Sequence, residues 1–160
     1  MTRRLEVFAL LALALWATVP AGSASDENRR AVADVEWSHY GGDRASTKYS
    51  PAAQIDASNV GRLEIAWRWT TPDRTIETTA PFGNLKGTPL MVGGVVYAVS
   101  SLNLVSALDA RTGKELWTYD PKAYLLHKPT HGGFTQRGLE YWSDGTTSRI
   151  LLVTSTHQLV

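Results

Sequence analysis

The chain has no cysteine among its 160 residues. That excludes a disulfide framework, and it excludes a lipid-anchored N-terminus, because lipid attachment at a processed terminus needs a cysteine. An excess of either charge is also lacking: 16 Lys and Arg stand against 15 Asp and Glu, a formal net charge of +1. Nucleic acid or an anionic membrane surface would call for a basic footprint that is not there. The apolar run near the start, residues 7–19, is 13 residues long, short of the roughly 20 that cross a bilayer as a helix. No phosphate-cradling glycine loop or serine-nucleophile elbow occurs. His127 and His157, taken with Asp144, do not make a metal-ligand spacing.

What is present begins with a processing signal. Arg3 and Arg4 give a positive start, residues 7–19 the apolar stretch, and Ala21-Gly22-Ser23-Ala24 the small residues of a cleavage site. This layout is that of a secretory signal peptide over residues 1–24, cut after Ala24 or Ala21. Cleavage leaves 14 basic and 14 acidic residues and no stable membrane span. The mature protein is then periplasmic or secreted. Residues 25–62 follow as a leader, whose one helical candidate is a single turn within 51–63 capped by Asp56 or Ser58.

After Val35, apart from that one candidate turn, there is no sustained 3.6-residue periodicity. Short apolar runs alternate with turn residues, which marks an all-β chain. Strands are expected at 63–69, 88–92, 95–101, 104–109 and 115–119, with Gly93-Gly94 as a tight turn. The four strands of 88–119 form one antiparallel meander. A second group, 138–142, 149–155 and 157–160, repeats the first three about 50 residues later, so Val105 and Val160 are equivalent. Repetition at that period signals a propeller or an array. Trp67-Arg68-Trp69-Thr70-Thr71-Pro72 also echoes Trp117-Thr118-Tyr119-Asp120-Pro121, so 63–69 reads as an outer strand of a further blade. The expected architecture is a partial β-propeller over residues 63–160: one full four-stranded blade plus parts of two others. Such sheets need neighbours to cover their faces. The chain is therefore read as an N-terminal fragment, without catalysis of its own.

Ala107-Leu108-Asp109-Ala110-Arg111-Thr112-Gly113-Lys114-Glu115-Leu116-Trp117 fits A-x-D-x-x-T-G-x-x-x-W. Asp109 and Thr112 can bond the turn backbone, Gly113 can take a positive φ, and Trp117 is a flat anchor able to wedge between blades. This is similar to the tryptophan-docking repeat of quinoprotein propellers. Trp37-Ser38-His39-Tyr40-Gly41-Gly42-Asp43, Lys48-Tyr49-Ser50-Pro51, Gly87-Thr88-Pro89-Leu90-Met91-Val92 and Gln136-Arg137-Gly138-Leu139-Glu140-Tyr141-Trp142 extend the likeness. From about Trp37 to Val160 the chain resembles the pyrroloquinoline-quinone-dependent dehydrogenases, most of all their glucose-dehydrogenase-like branch.

The resemblance implies an eight-bladed propeller with the quinone near its axis and a Ca²⁺ ion beside it. It implies oxidation of an alcohol or aldose sugar, with electrons passed to a quinone or cytochrome acceptor. Arg137 aligns with the family arginine that approaches the cofactor. A guanidinium suits quinone oxygens and carboxylates, being always charged and donating in a planar fork. Lys86 stands where many relatives carry a carboxylate; it either meets a quinone carboxylate or is an exposed loop charge. His131-Gly132 replaces the adjacent cysteine pair of the alcohol-oxidising relatives. The calcium ligands and the catalytic carboxylate of the family are expected beyond this chain. Two other readings stand beside the enzyme: a non-catalytic propeller of the same repeat, serving as scaffold or assembly protein, and an inactive truncated remnant.

Overall fold

The computed structural model of the chain describes residues 35–80, 82–126 and 134–160. Residues 1–24, expected to be a signal peptide, and His127 and His131 lie outside the described residues. Among those described, all regular structure is strand apart from three short 3-10 turns, at Val60–Arg62, Pro72–Thr75 and Ala123–Leu125.

The expected meander is present. Strands β2 (Leu90–Val92), β3 (Val95–Val99), β4 (Val105–Asp109) and β5 (Glu115–Tyr119), here numbered in chain order after β1 (Phe82–Thr88), form a four-stranded antiparallel sheet in sequence order. Gly93 and Gly94 join β2 to β3 with φ of 59° and 75°. Both central residues of a type I′ turn need positive φ, so two glycines close this hairpin without side-chain clash. The register pairs Leu90 with Tyr97 and Val92 with Val95. The middle of the sheet carries the burial: Val105, Ser106, Ala107 and Leu108 of β4 are all buried, whereas every residue of β5 is exposed.

The second repeat is present in part. Strands β7 (Glu140–Ser143) and β8 (Ser148–Leu151) pair antiparallel. Beyond them the expected third strand is reduced to a bridge between Val153 and Leu159 and a reciprocal backbone pair between Leu152 and Val160, 2.9 Å each way. One apolar cluster spans both repeats: Leu90, Val99 and Val105 from the first meet Leu139 and Leu152 from the second, with Tyr97, Tyr141 and Ile150 packed against it. Each buried aliphatic side chain of this kind stabilises the fold by about 1.5–3 kcal/mol relative to exposure.

Three expectations are corrected. Residues 63–69 make no ladder among the described residues. Extended backbone becomes strand only when a neighbour takes its N–H and C=O groups, and here side chains fix the segment instead. The indole of Trp67 lies against Gly113, where an added Cβ would sit 2.5 Å from the ring, and its Nε1 donates to the Ala110 carbonyl at 3.1 Å. Trp69 Nε1 donates to Glu115 Oε2 at 3.3 Å. Trp67 thus packs on the Asp109–Gly113 turn, while Trp117 lines a cleft shared with Tyr141, Ile150 and Leu152 of the second repeat. Second, the strand at 88–92 is two strands, since Pro89, with no N–H, separates β1 from β2. Third, the helical turn within 51–63 is the 3-10 turn Val60–Arg62, whose N-cap, Asn59, makes no side-chain capping bond. Asp56 instead closes the turn before it, accepting from the Ser58 amide and hydroxyl at 2.7 and 2.6 Å.

The Asp109 turn forms as expected. Asp109 Oδ1 accepts from the Arg111 and Thr112 amides and from the Thr112 hydroxyl, at 3.2, 2.8 and 2.7 Å. Gly113 sits at φ 69°. The leader ties both repeats together. Trp37 exchanges backbone bonds with Met91 beside β2, Glu36 accepts from the Gly93 amide, and His39 Nδ1 lies 2.8 Å from Glu140 Oε1 on β7.

Candidate functional site

Pro89 ends β1, and a parallel event occurs in the second repeat, where β6 (Phe134–Gly138) stops at Leu139 before β7. β1 and β6 leave their repeats and pair with each other, parallel, as a two-stranded ribbon. The register runs Phe82 with Phe134, Leu85 with Gln136 and Thr88 with Gly138. Three residues of β1 advance for every two of β6, so Gly83 and Asn84 oppose Thr135, and Lys86 and Gly87 oppose Arg137. Each is a bulge, a device that re-aims side chains and gathers next to active sites.

Glycine permits the close approach. A Cβ on Gly83 would collide with the Phe134 carbonyl, and one on Gly87 would lie 3.0 Å from Val99 Cγ1. The inner face of β6 is anchored: Phe134 is fully buried, and Gln136, also buried, donates from Nε2 to the Val153 carbonyl at 2.7 Å.

The two residues singled out from the sequence, Lys86 and Arg137, are therefore brought together from positions 51 apart in the chain. Both are exposed, and neither side chain makes a hydrogen bond or ion pair among the described residues. Like charges facing across a ladder repel, and the register sets these two cations at one bulge. Arg137 borders a cavity of about 380 Å³ that also touches Tyr40, Leu139 and Leu159. Among the described residues no group of three or more His, Asp or Glu side chains is placed to hold a metal ion. His39 serves as a structural tie, and His157, at φ 65°, occupies a turn.

Sequence reasoning missed the polar groups beneath the ribbon. The β3–β4 connection, 100–104, lies at the ribbon's end of the first sheet and is buried throughout. Asp73, 4% exposed, holds it: Oδ2 accepts from the Ser101 amide and hydroxyl at 3.0 and 2.8 Å and from the Leu102 amide at 3.4 Å. Its Oδ1 has no donor among the described residues. The sequence signal was Pro72-Asp73, a turn opener with an acceptor beside it. Leu102, Leu104, Ala123 and Phe134 make a second apolar cluster under the ribbon, flanked by Ile76, Ala80 and Tyr124. Burial, reinforced by the 2.8 Å bond it donates to Asp120, pushes the Tyr124 hydroxyl above its ordinary range.

Comparison with known proteins gives this ribbon and its sheets a family. The profile described as PQQ: glucose/ethanol/alcohol dehydrogenase, beta-propeller domain, matches residues 37–160. The chain belongs to that family. It is 38% identical over 118 residues to the dehydrogenase subunit of a quinone alcohol dehydrogenase from Gluconobacter oxydans, covering 69% of this chain and 14% of the relative. It is 34% identical over 126 residues to a quinoprotein glucose dehydrogenase from Escherichia coli, covering 78% of this chain and 15% of the relative. The crystal structure of a quinohemoprotein alcohol dehydrogenase from Comamonas testosteroni superimposes with a TM-score of 0.57 at 28% identity, covering 83% of this chain and 18% of that one. The quinoprotein chain thus spans about a seventh of the length of these curated relatives, and both alcohol and glucose dehydrogenases are among them.

Proposed function

We propose that this chain supplies the quinone-facing ribbon of a periplasmic oxidoreductase that oxidises an alcohol or aldose with pyrroloquinoline quinone and passes the electrons to a respiratory acceptor. The observation that carries the reading is the pair of cations, Lys86 and Arg137, set at one bulge with no side-chain partner among the described residues. The cofactor is a polycarboxylate with ring carbonyls, so two cations without protein partners match its chemistry. Arg137 would meet a carboxylate or carbonyl in a planar fork, and Lys86 would act as a point charge on a second carboxylate. When bound, the quinone takes up the two electrons and two protons released as CH–OH becomes C=O. Lys86 and Arg137 hold and orient it, and neither moves a proton in this reading. The ligands of the calcium ion are placed, in this reading, in parts of the enzyme beyond this chain.

Titration of the chain with pyrroloquinoline quinone, with and without Ca²⁺, tests this through tryptophan fluorescence and requires no turnover. Saturable quenching is expected, weakened about tenfold by Arg137→Ala and less by Lys86→Ala, each charged contact amounting to roughly 1.5–3 kcal/mol at most. Quenching unaffected by the double variant would favour a non-catalytic propeller scaffold, for which both cations are dispensable.

A further inference from the structure

We propose that Asn103 is a positioning residue for the ribbon: without touching a ligand, it fixes β6 and so sets the affinity of the Arg137 site. The claim rests on the quinone reading above for its ligand, and on the structure alone for its mechanics.

Connections between strands ordinarily lie at the surface, because a buried loop must satisfy every polar group it carries. The 100–104 connection is buried nonetheless, and Asn103 at its centre is fully buried. Internal bonds satisfy part of it: the Ser100 amide donates to the Leu104 carbonyl at 2.8 Å, and the Leu104 amide to Ser100 Oγ at 3.0 Å. Asp73 fixes it from the side of the first repeat, as described. Asn103 reaches the other way. Its Nδ2 donates to the Ser101 carbonyl at 3.3 Å, and its Oδ1 accepts from the Ser155 amide at 2.6 Å, 52 residues on.

Ser155 belongs to the segment that grips β6. Its Oγ donates to the Thr135 carbonyl at 3.4 Å, and the nearby Val153 carbonyl receives Gln136 Nε2. Leu102, next to Asn103, packs in the cluster that contains Phe134. The side-chain bonds from Ser155 and Gln136 and the packing of Phe134 on Leu102 thus tie the inner side of β6 to the Asn103 turn and to the segment that Asn103 pins. Arg137 is the next residue along after Gln136.

The backbone sharpens the point. Asn103 has φ 74°, in the left-handed region where glycine has no steric penalty and asparagine has a small one. Glycine would satisfy the turn. What asparagine adds is the side-chain bridge to Ser155.

That contrast defines the experiment. Asn103→Gly keeps the turn conformation and removes the bridge to Ser155 together with the local bond to the Ser101 carbonyl. Hydrogen exchange on the full chain should show the amides of 134–138 exchanging about tenfold faster, with those of β3 and β4 unchanged, and quinone affinity should fall about tenfold. In an Arg137→Ala background the same substitution should add nothing to the loss of affinity, because it acts through that residue. Unchanged exchange at 134–138, acceleration spread evenly over β3, β4 and β6, or fully additive affinity losses would each overturn the proposal. If the unsubstituted chain binds no quinone, the functional reading fails, and exchange at 134–138 still decides whether Asn103 holds the ribbon.

Discussion

Trp67 and Trp117 stand in the same local text and meet different surroundings. Trp67 lies on a glycine, bonded through Nε1 to the Ala110 carbonyl at 3.1 Å, at the mouth of the Asp109–Gly113 turn. Trp117 is 45% exposed, and its ring meets Tyr97 at 6.0 Å between centroids, tilted by 48°. The sequence contains a single D-x-x-T-G turn, and it is the turn Trp67 occupies. Among the described residues the docked indole is the one that meets such a turn. The turn offers it a flat, Cβ-free surface and a carbonyl beside it.

Removing each ring in turn is the largest test of that difference. Trp67→Ala should cost about 3 kcal/mol, the low end for deletion of a packed aromatic, and Trp117→Ala about 1 kcal/mol, the scale of an exposed aromatic pair. Urea denaturation of both variants measures the gap, and equal costs would break the comparison. Gly113→Ala probes the receiving surface. Its Cβ would sit 2.5–2.7 Å from the Trp67 ring at a φ of 69°, so steric and backbone costs combine to about 2–3 kcal/mol. Gly93→Ala suffers only the backbone cost, about 1 kcal/mol, since nothing lies within 4 Å of its Cβ. A Gly113 variant no worse than the Gly93 one would mean that Trp67 swings aside freely.

The sequence disclosed the meander because each of its turns advertises itself chemically, with Gly93-Gly94 and Asp109-x-x-Thr112-Gly113 each matching one turn geometry. It disclosed Lys86 and Arg137 as cations in family positions. It did not disclose that they face each other, because parallel pairing of β1 with β6 joins residues some 50 apart with no turn between them to mark the register. Phe82–Thr88 escaped as a strand for a related reason: its two glycines lower β propensity and reveal their purpose only against Phe134 and Val99. Asp73 and Asn103 escaped because buried polar residues look like surface ones until their partners, 28 and 52 residues away, are known.

The smallest effect separates the two turns by pH. The Thr112 hydroxyl, then the Thr112 amide, hold the Asp109 carboxyl below its ordinary value of 3.8. The Thr147 and Thr146 amides do the same for Asp144 in the β7–β8 turn. A carboxyl whose folded pKa is depressed stabilises the fold above its unfolded value, and that contribution is lost as pH falls through 3.8 towards the lowered value. Both groups are solvent-exposed, so each contribution is small. They differ in what rests on them: Trp67 covers Gly113, whereas nothing lies within 4 Å of a Cβ on Gly145. Acidification that loosens the Asp109 turn should therefore release the indole as well. Trp67 fluorescence, taken as the difference between the chain and its Trp67→Phe variant, should shift to longer wavelength below pH 3.8 before global unfolding. Asp109→Asn should show that shift already at neutral pH, and Asp144→Asn should leave it unchanged. A Trp67 signal insensitive to Asp109→Asn would mean that the ring holds the turn, and not the turn the ring.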